Sequence, residues 1–441
     1  MPTMNPSVRV VLVALDWTRD QDPRPPLGHA SLLAALVEAN ITVRSLCFPV
    51  NAPSFSCDAV VQKILAAVAP DGDVAIGAYV WGEQALQIIL PRLRAAGFVG
   101  RIILGGPQIS YAGAGVEVLY REVDVFIRGY GEQALVEVAR SPGVVVEGAH
   151  YRGQPDRCQQ AKVTLEALPS PWLAGLIAPE PGGLVRMETQ RGCPFRCSFC
   201  QHREAGARLR RRNLAADRVT KELEHFVRIG VTRIAVLDPI FNAGPKAAAY
   251  LLHLRALGFR GQISLQCRFE MLDETFLDAC EGLDVQLEFG LQTIHAVEGK
   301  EIERKNQIHK VEAAIAALHR RGIHFEVSLI FGLPMQTLRS FEQSVDFCLS
   351  HGVPVIKAFP LMLLRGTKLE QDRARWGLQE SGGKMSHVIA SDTFSAEDWR
   401  EMARLSEALK ATEGAHPPTV AALWSHTRTP DLCRWAPRAV A

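Results

Sequence analysis

No stretch of this sequence approaches the ~18 uninterrupted apolar residues needed to cross a bilayer. Nor does one sign of charge dominate. Lys and Arg number 49 against 47 Asp and Glu, a formal +2, so no global field favours nucleic acid or an acidic membrane. Internal repeats and low-complexity segments are missing, which excludes solenoids and disordered tracts. The first apolar run, VVLVAL, is six residues long, is broken by Asp16 and has no small-residue cleavage site after it. It reads as a first strand rather than a secretory segment, and the expected location is the cytoplasm. What is present is a composition of 47% hydrophobic and 22% charged residues over 441 positions, enough for two or three packed domains. Ten cysteines without an export signal point to thiolate chemistry in a reducing compartment rather than to disulfides.

Three of those cysteines, Cys193, Cys197 and Cys200, share the run RGCPFRCSFC. Thiolates are the preferred ligands of iron–sulfur clusters, and three of them leave one corner of a 4Fe–4S cube open. A structural zinc site normally recruits four ligands, often as paired C-x-x-C, and no second pair follows here. Cys267, Cys280 and Cys348 fall within strand or helix patterns and read as buried apolar residues; Cys433 reads as a free thiol.

The first ~140 residues alternate short apolar runs (8–15, 41–48, 73–80, 100–106 and 123–129) with helix-period stretches. That rhythm predicts a doubly wound, Rossmann-like α/β sheet over 1–140, whose ligands sit beyond the C-terminal strand ends. Residues 141–183 are expected to be a linker, since 141–186 holds six prolines and six glycines. From 184 to 375 a second series of six strand–helix units begins directly before the cysteine loop. Six units are too few for a closed eight-stranded barrel and predict a partial one. Residues 376–441 are read as a short helical extension, with its helix at 395–411, and a tail. RLRRRN (208–213) is the one dense basic run: either a solvated face or a contact for phosphate or carboxylate groups.

With the cysteine loop placed after the first strand of a six-unit barrel, the chain resembles the radical S-adenosylmethionine (SAM) superfamily. LDPIFN, EFGLQT, IFGLPMQT and PLMLLRGTKL follow in the order that the family shows. The preceding domain, with PPLGHASLLAAL, GGP and RGYGEQAL, resembles the cobalamin-binding half of the cobalamin-dependent branch. Together the resemblance covers roughly residues 8–375. It departs at one place: the D-x-H-x-x-G motif that ligates cobalt from below is missing, and His29 stands in GHASL without the flanking residues.

The resemblance implies three cofactors, a 4Fe–4S cluster, SAM and cobalamin. It implies that the open iron binds the amino and carboxylate groups of SAM. For SAM it implies contacts from Phe199, Asp238, Glu288, Gln292, Gly332 and Leu333. Arg268 and Glu270 alternate in CRFE, so both are expected on one side of their strand; they are either a SAM-carboxylate clamp or a barrel-interior ion pair. For cobalamin the implied contacts are Leu27, Gly28, Tyr79, Trp81, Gly105, Gly106, Pro107, Gly129, Gly131 and Glu132. Tyr79 and Trp81 either lie near the lower face of the cobalt or pack as an ordinary aromatic pair. The expected activity is methyl transfer to an unactivated carbon of a small metabolite or natural-product precursor. A reducing partner such as flavodoxin or ferredoxin is expected, and neither nucleic acid nor membrane. The rivals are a radical rearrangement or cyclisation without net methyl transfer, and a non-catalytic cobalamin and iron–sulfur sensor.

Overall fold

The computed structural model describes residues 8–19, 22–202, 212–383 and 385–427. Most of the RLRRRN run, Cys433 and Trp435 lie outside these residues. The chain divides into two units, one made mainly of Met1–Glu180 and the other mainly of residues from Pro181 onward.

In the first unit, strands β1 (Val10–Asp16), β2 (Val43–Pro49), β3 (Asp73–Gly77), β4 (Ile102–Gly105), β5 (Val125–Ile127) and β6 (Ala149–Tyr151) form one sheet. Its order is β2-β1-β3-β4-β5-β6, parallel except for the antiparallel β5–β6 pair. Helices α1 (Leu27–Glu38), α2 (Cys57–Ala67), α3 (Glu83–Ala95), α4 (Pro107–Ser110) and α5 (Gly131–Arg140) connect the strands. Because β1 pairs with both β2 and β3, the winding reverses at β1, which opens a crevice beyond the carboxyl ends of the strands. One face of the sheet carries Val11, Val13, Leu15, Ile76 and Leu104 in a core with α2 and α3. The other carries Val10, Leu12, Ala75 and Ile103 against Leu33, Leu36, Leu135 and Val138 of α1 and α5. Runs apolar at every position therefore follow from burial on both faces. Strand β2 is the exception, an edge strand with Arg44 and Ser45 exposed.

The segment expected to be a linker is more structured than its proline and glycine content suggests. It supplies β6, and Ala161 bridges to Gly129. Asp156 lies 2.7 Å from the guanidinium of Arg128, which is 1% exposed. A buried arginine needs a counter-charge, and the chain beyond residue 140 provides it. The first unit accordingly runs to Glu180 rather than ending at 140.

The second unit holds β7 (Leu184–Met187), the two-residue strands β8 (Gln190–Arg191) and β9 (Arg212–Asn213) at either end of the cysteine loop, β10 (Arg233–Val236), β11 (Gln262–Cys267), β12 (Asp284–Gln292), β13 (His324–Phe331) and β14 (Val355–Pro360). Six of these form a parallel sheet in the order β14-β13-β12-β11-β10-β7, open between its two edges as a partial barrel must be. Helix α6 (Ala216–Ile229), assigned to the first unit as far as His225, precedes β10, and α7 (Ala247–Ala256), α8 (Glu274–Cys280), α9 (Ala296–Glu301), α10 (Ile308–Arg320) and α11 (Leu338–Ser350) alternate with the later strands. Alternate strand residues such as Leu265, Leu287, Phe289, Val327 and Leu329 are buried, while Ser264, Gln286, Glu288, Ser328 and Lys357 occupy the other face. Beyond β14 come α12 (Lys368–Gln371), the hairpin β15 (Gln379–Glu380) and β16 (Val388–Ala390), α13 (Ala396–Ala411) and α14 (Val420–Trp424). Helix α13 starts where expected, with Ser395 and Asp398 forming a reciprocal capping box. Among the described residues no helix is long and apolar enough to cross a membrane.

Candidate functional site

The cysteine loop leaves β8 at the carboxyl end of the second sheet. Cys197 is buried; Cys193 and Cys200 are half-buried. Ser198, 1% exposed, braces the loop: its N–H donates to Ile302 O (2.9 Å) and its carbonyl accepts from Leu369 N (3.0 Å). Gln201 Nε2 donates to Arg365 O at 2.7 Å. The RGTKL segment singled out in the sequence is thus a buttress for the loop. Burial raises the Cys193 thiol and raises Cys200 to about 11, with the neighbouring cysteines adding to the effect and Arg304 opposing it. A metal ion reverses that preference by holding the thiolate form outright. Among the described residues no three His, Cys, Asp or Glu side chains converge on one ion position. A cubane asks for a different arrangement, three mutually close thiolates each facing its own iron.

Four buried polar atoms around this loop have no hydrogen-bond partner: Gln190 Oε1, Glu270 Oε1, Gln292 Oε1 and Arg304 Nε. Idle acceptors and donors in one place are what a polar ligand would satisfy. Gln292 is also strained. It has φ 69° and follows a register shift after Gly290, where a β-bulge turns its side chain. A Cβ on Gly290 would lie 2.5 Å from Gln292 Nε2, so a side chain there would displace the Gln292 amide. Arg304 Nη1 donates to Cys197 Sγ at 3.6 Å, and Nη2 donates to Gly290 O. Nothing in the pattern EIERKNQ singled out Arg304; only the fold brings it to the cluster loop.

The remaining residues expected at SAM divide by their partners. Glu288 sits mid-strand on β12 and accepts from Ser264 Oγ. Phe199 is half-buried within the loop. Arg268 and Glu270 lie past the end of β11, Glu270 in a short 3-10 turn, so the strand alternation assumed for them does not apply. They form an ion pair at 3.0 Å with both side chains buried, and Arg268 stacks over the Phe195 ring at 3.7 Å. Arg268 is therefore committed to Glu270. Asp238 is fully buried and accepts from Thr189 N (2.7 Å), Gln190 N (3.2 Å) and Thr189 Oγ1. Its role in the fold is a clamp on the backbone that enters the cysteine loop. Burial raises its carboxyl to about 6 in spite of those donors. Gly332 N and Leu333 N donate to Gln336 Oε1 at 2.7 and 3.1 Å, so the backbone donors of these two residues are already used.

In the first unit the ten residues expected at cobalamin all lie at the carboxyl ends of β3–β5 or at the start of α1. Leu27 and Gly28 open α1, Gly105 ends β4, and Pro107 opens α4. Tyr79 and Trp81 stack with centroids 4.7 Å apart. Trp81 donates to Leu15 O at 2.9 Å and packs on the α2/α3 core. The Tyr79 hydroxyl instead lies on the α1 side, 3.5 Å from where a Cβ on Gly28 would be. Gly106 has φ 96° and a Cβ there would meet Ala78 O at 2.9 Å; Gly129 has φ 79° and would meet Ala161 O at 2.8 Å. Both are required by backbone approaches within the chain. Glu132 is buried and accepts from Ser31 Oγ at 3.0 Å, tying α5 to α1, while Gly131 opens α5. His29 is a core residue: Nε2 meets Ser45 Oγ at 2.7 Å, and burial lowers its pKa to about 4. Ala14, Gly77 and Gly105 are the small residues at this edge, and the Tyr79 ring lies against Gly77, where a Cβ would meet Cε2 at 3.2 Å.

A parallel partial barrel with three thiols on the loop at its carboxyl edge defines an iron–sulfur type of protein. The model of the Radical SAM superfamily matches residues 187–348. A 2-(S-pantetheinyl)-carbapenam-3-carboxylate methyltransferase of Streptantibioticus cattleyicolor is 26% identical over 336 residues, 68% of this chain and 48% of the relative. The cobalamin-dependent radical SAM methyltransferase TokK of Streptomyces tokunonensis is 25% identical, covering 66% of this chain and 47% of its own. The chain thus spans about half the length of these curated relatives. The structure of the radical SAM methyltransferase TsrM of Kitasatospora setae, with cobalamin and a 4Fe–4S cluster bound, has a TM-score of 0.70. It is 17% identical and covers 96% of this chain and 89% of its own. The family match thus marks a radical SAM region over residues 187–348, and the fold of the chain is similar to that of the cobalamin-bound TsrM structure.

Proposed function

We propose that this protein is a cobalamin-dependent radical SAM enzyme that transfers a methyl group to carbon of a small molecule. One observation carries the reading: a C-x-x-x-C-x-x-C loop surrounded by unpartnered polar atoms, on a six-stranded partial barrel that follows an α/β unit with a glycine-bearing strand edge. When bound, the cluster and SAM supply radical chemistry and cobalamin supplies the transferable methyl group. The chain's own residues bind and orient. Cys193, Cys197 and Cys200 hold the cluster, and Arg304 places positive charge against Cys197. Asp238 fixes the loop's entry. Gln292 Oε1 and Glu270 Oε1 accept from the ammonium of SAM, while Glu288 is placed for a hydroxyl and Arg304 Nε for the carboxylate. Such a mixed set suits a zwitterion with a sulfonium. Tyr79, Gly28 and Gly105 would border the cobalamin, and His29, spent on Ser45, would not serve as a ligand to it. Electrons come from a small reductant of the flavodoxin or ferredoxin type in a reducing cytoplasm.

The test uses the full chain, reconstituted without oxygen with iron, sulfide and hydroxocobalamin, then supplied with reductant and methyl-deuterated SAM. We expect four irons per chain, retained cobalamin, and release of both 5′-deoxyadenosine and S-adenosylhomocysteine. A metabolite gaining a labelled methyl group identifies the substrate. A product of unchanged carbon count would replace methyl transfer with rearrangement. Intact SAM under strong reduction would remove the catalytic reading altogether.

A further inference from the structure

The α1/α5 face of the first unit's sheet ends in a polar group that the fold does not use. Val10 and Leu12 face the α1/α5 core, and strand alternation puts Ala14 and Asp16 next on that face. Asp16 closes β1 and is 6% exposed, yet its Oδ2 is buried without a hydrogen-bond partner. Its backbone carbonyl is satisfied by Val50 N at 2.7 Å, so the side chain plays no part in closing the strand. The charged groups around it are Arg24 and Asp22, which precede α1, with Cys47 on neighbouring β2; burial is the largest influence, raising the carboxyl to about 6. An idle carboxylate oxygen this deep is costly to keep.

The surroundings point to what would meet it. Beside Asp16 this face carries only small residues at the ends of β1, β3 and β4, Ala14, Gly77 and Gly105, while the opposite face ends in Leu15, Ile76 and Leu104. One face of the sheet ends in large apolar side chains; the other ends in small residues, with the Tyr79 ring against Gly77. This is the ligand edge of a doubly wound sheet, at the β1/β3 switch. A ligand that meets the Asp16 carboxyl must present a hydrogen-bond donor at its periphery. Cobalamin has that form, a broad macrocycle fringed with neutral primary amides. Among the described residues no three acidic, His or Cys side chains converge here, so the carboxyl is poorly suited to a metal ion.

We propose that Asp16 is a cobalamin-binding residue, its free carboxyl oxygen accepting an N–H from a peripheral amide of the corrin. The inference rests on the cobalamin reading above and adds a contact that the sequence resemblance did not include.

The experiment titrates the cofactor-free full chain with hydroxocobalamin, following the visible spectrum and retention on gel filtration. Wild type is compared with Asp16→Asn, which keeps one acceptor oxygen, and Asp16→Ala, which keeps none. We expect Asp16→Ala to weaken binding about 10–100-fold, the loss of one hydrogen bond to a charged group, and Asp16→Asn to weaken it much less. Both variants should raise the cofactor-free Tm by about 2–5 °C, because the idle buried carboxylate is gone. A structural role predicts the opposite, a lowered Tm with binding unchanged in whatever folds. If wild type binds hydroxocobalamin and Asp16→Ala binds it equally well, the proposal fails and the cobalamin reading survives. If folded wild type binds none, both fail.

Discussion

Asp238 offers a test of how the cysteine loop is held. Its carboxylate is fully buried and accepts two backbone N–H groups and the Thr189 hydroxyl, yet burial still raises it from 3.8 to about 6. A folded pKa above the unfolded one means that the stability contributed by this group is fully present below about 4 and is lost as pH rises through 6. A carboxyl displaced that far destabilises the fold by about 3 kcal/mol at pH 7.5 and by about half of that at pH 5. Asp238→Asn removes the charge and keeps the shape. Its amide oxygen still accepts from the backbone, and its NH2 donates to the Thr189 hydroxyl. The cluster-free variant should therefore be more stable than wild type at pH 7.5 by up to about 3 kcal/mol, and by about half as much at pH 5. Urea denaturation at the two pH values measures both differences, and Asp16 cancels because both proteins carry it. Iron content after anaerobic reconstitution should stay near wild type, since the clamp persists. An Asp238→Asn protein less stable than wild type at pH 7.5, or a difference independent of pH, would refute the argument.

Changing any one of Cys193, Cys197 or Cys200 to Ser should cut retained iron and sulfide severely and abolish the sulfide-to-iron absorption band, with the fold intact by circular dichroism. Arg304→Met removes a donor and a positive charge from beside Cys197, so the cluster's reduction potential should move to more negative values in an anaerobic titration followed by electron paramagnetic resonance. Gln292→Ala should weaken SAM binding about tenfold in equilibrium dialysis, the loss of one buried hydrogen bond, while leaving iron content unchanged. Gly106→Val places a side chain where φ is 96° and a Cβ meets Ala78 O at 2.9 Å. It should cost about 1–3 kcal/mol in thermal unfolding.

Periodicity was enough to read the layers. Apolar runs between helix-period stretches have few ways to fold besides parallel sheets, and all eleven expected strands in the two principal sheets are present, with β6 added to the first. The cluster ligands were equally legible, because three thiolates within eight residues need no tertiary contact to be brought together. Composition misled over residues 141–183: proline and glycine mark turns, but they do not reveal that a buried arginine elsewhere will recruit one of those turns as its counter-charge.

Local sequence therefore decided everything that depends on spacing along the chain: two α/β units, six barrel strands, three thiols on one loop. Tertiary structure alone decided which polar groups are spent and which stay available. Asp238, Arg268, Glu132, Gly332 and Leu333 look equally suited to ligands in the sequence, yet each is committed to another part of the chain. Asp16, Gln292 and Arg304 keep unsatisfied atoms. The reason is that hydrogen-bond satisfaction is a property of neighbours in space, and residues far apart in the chain settle it.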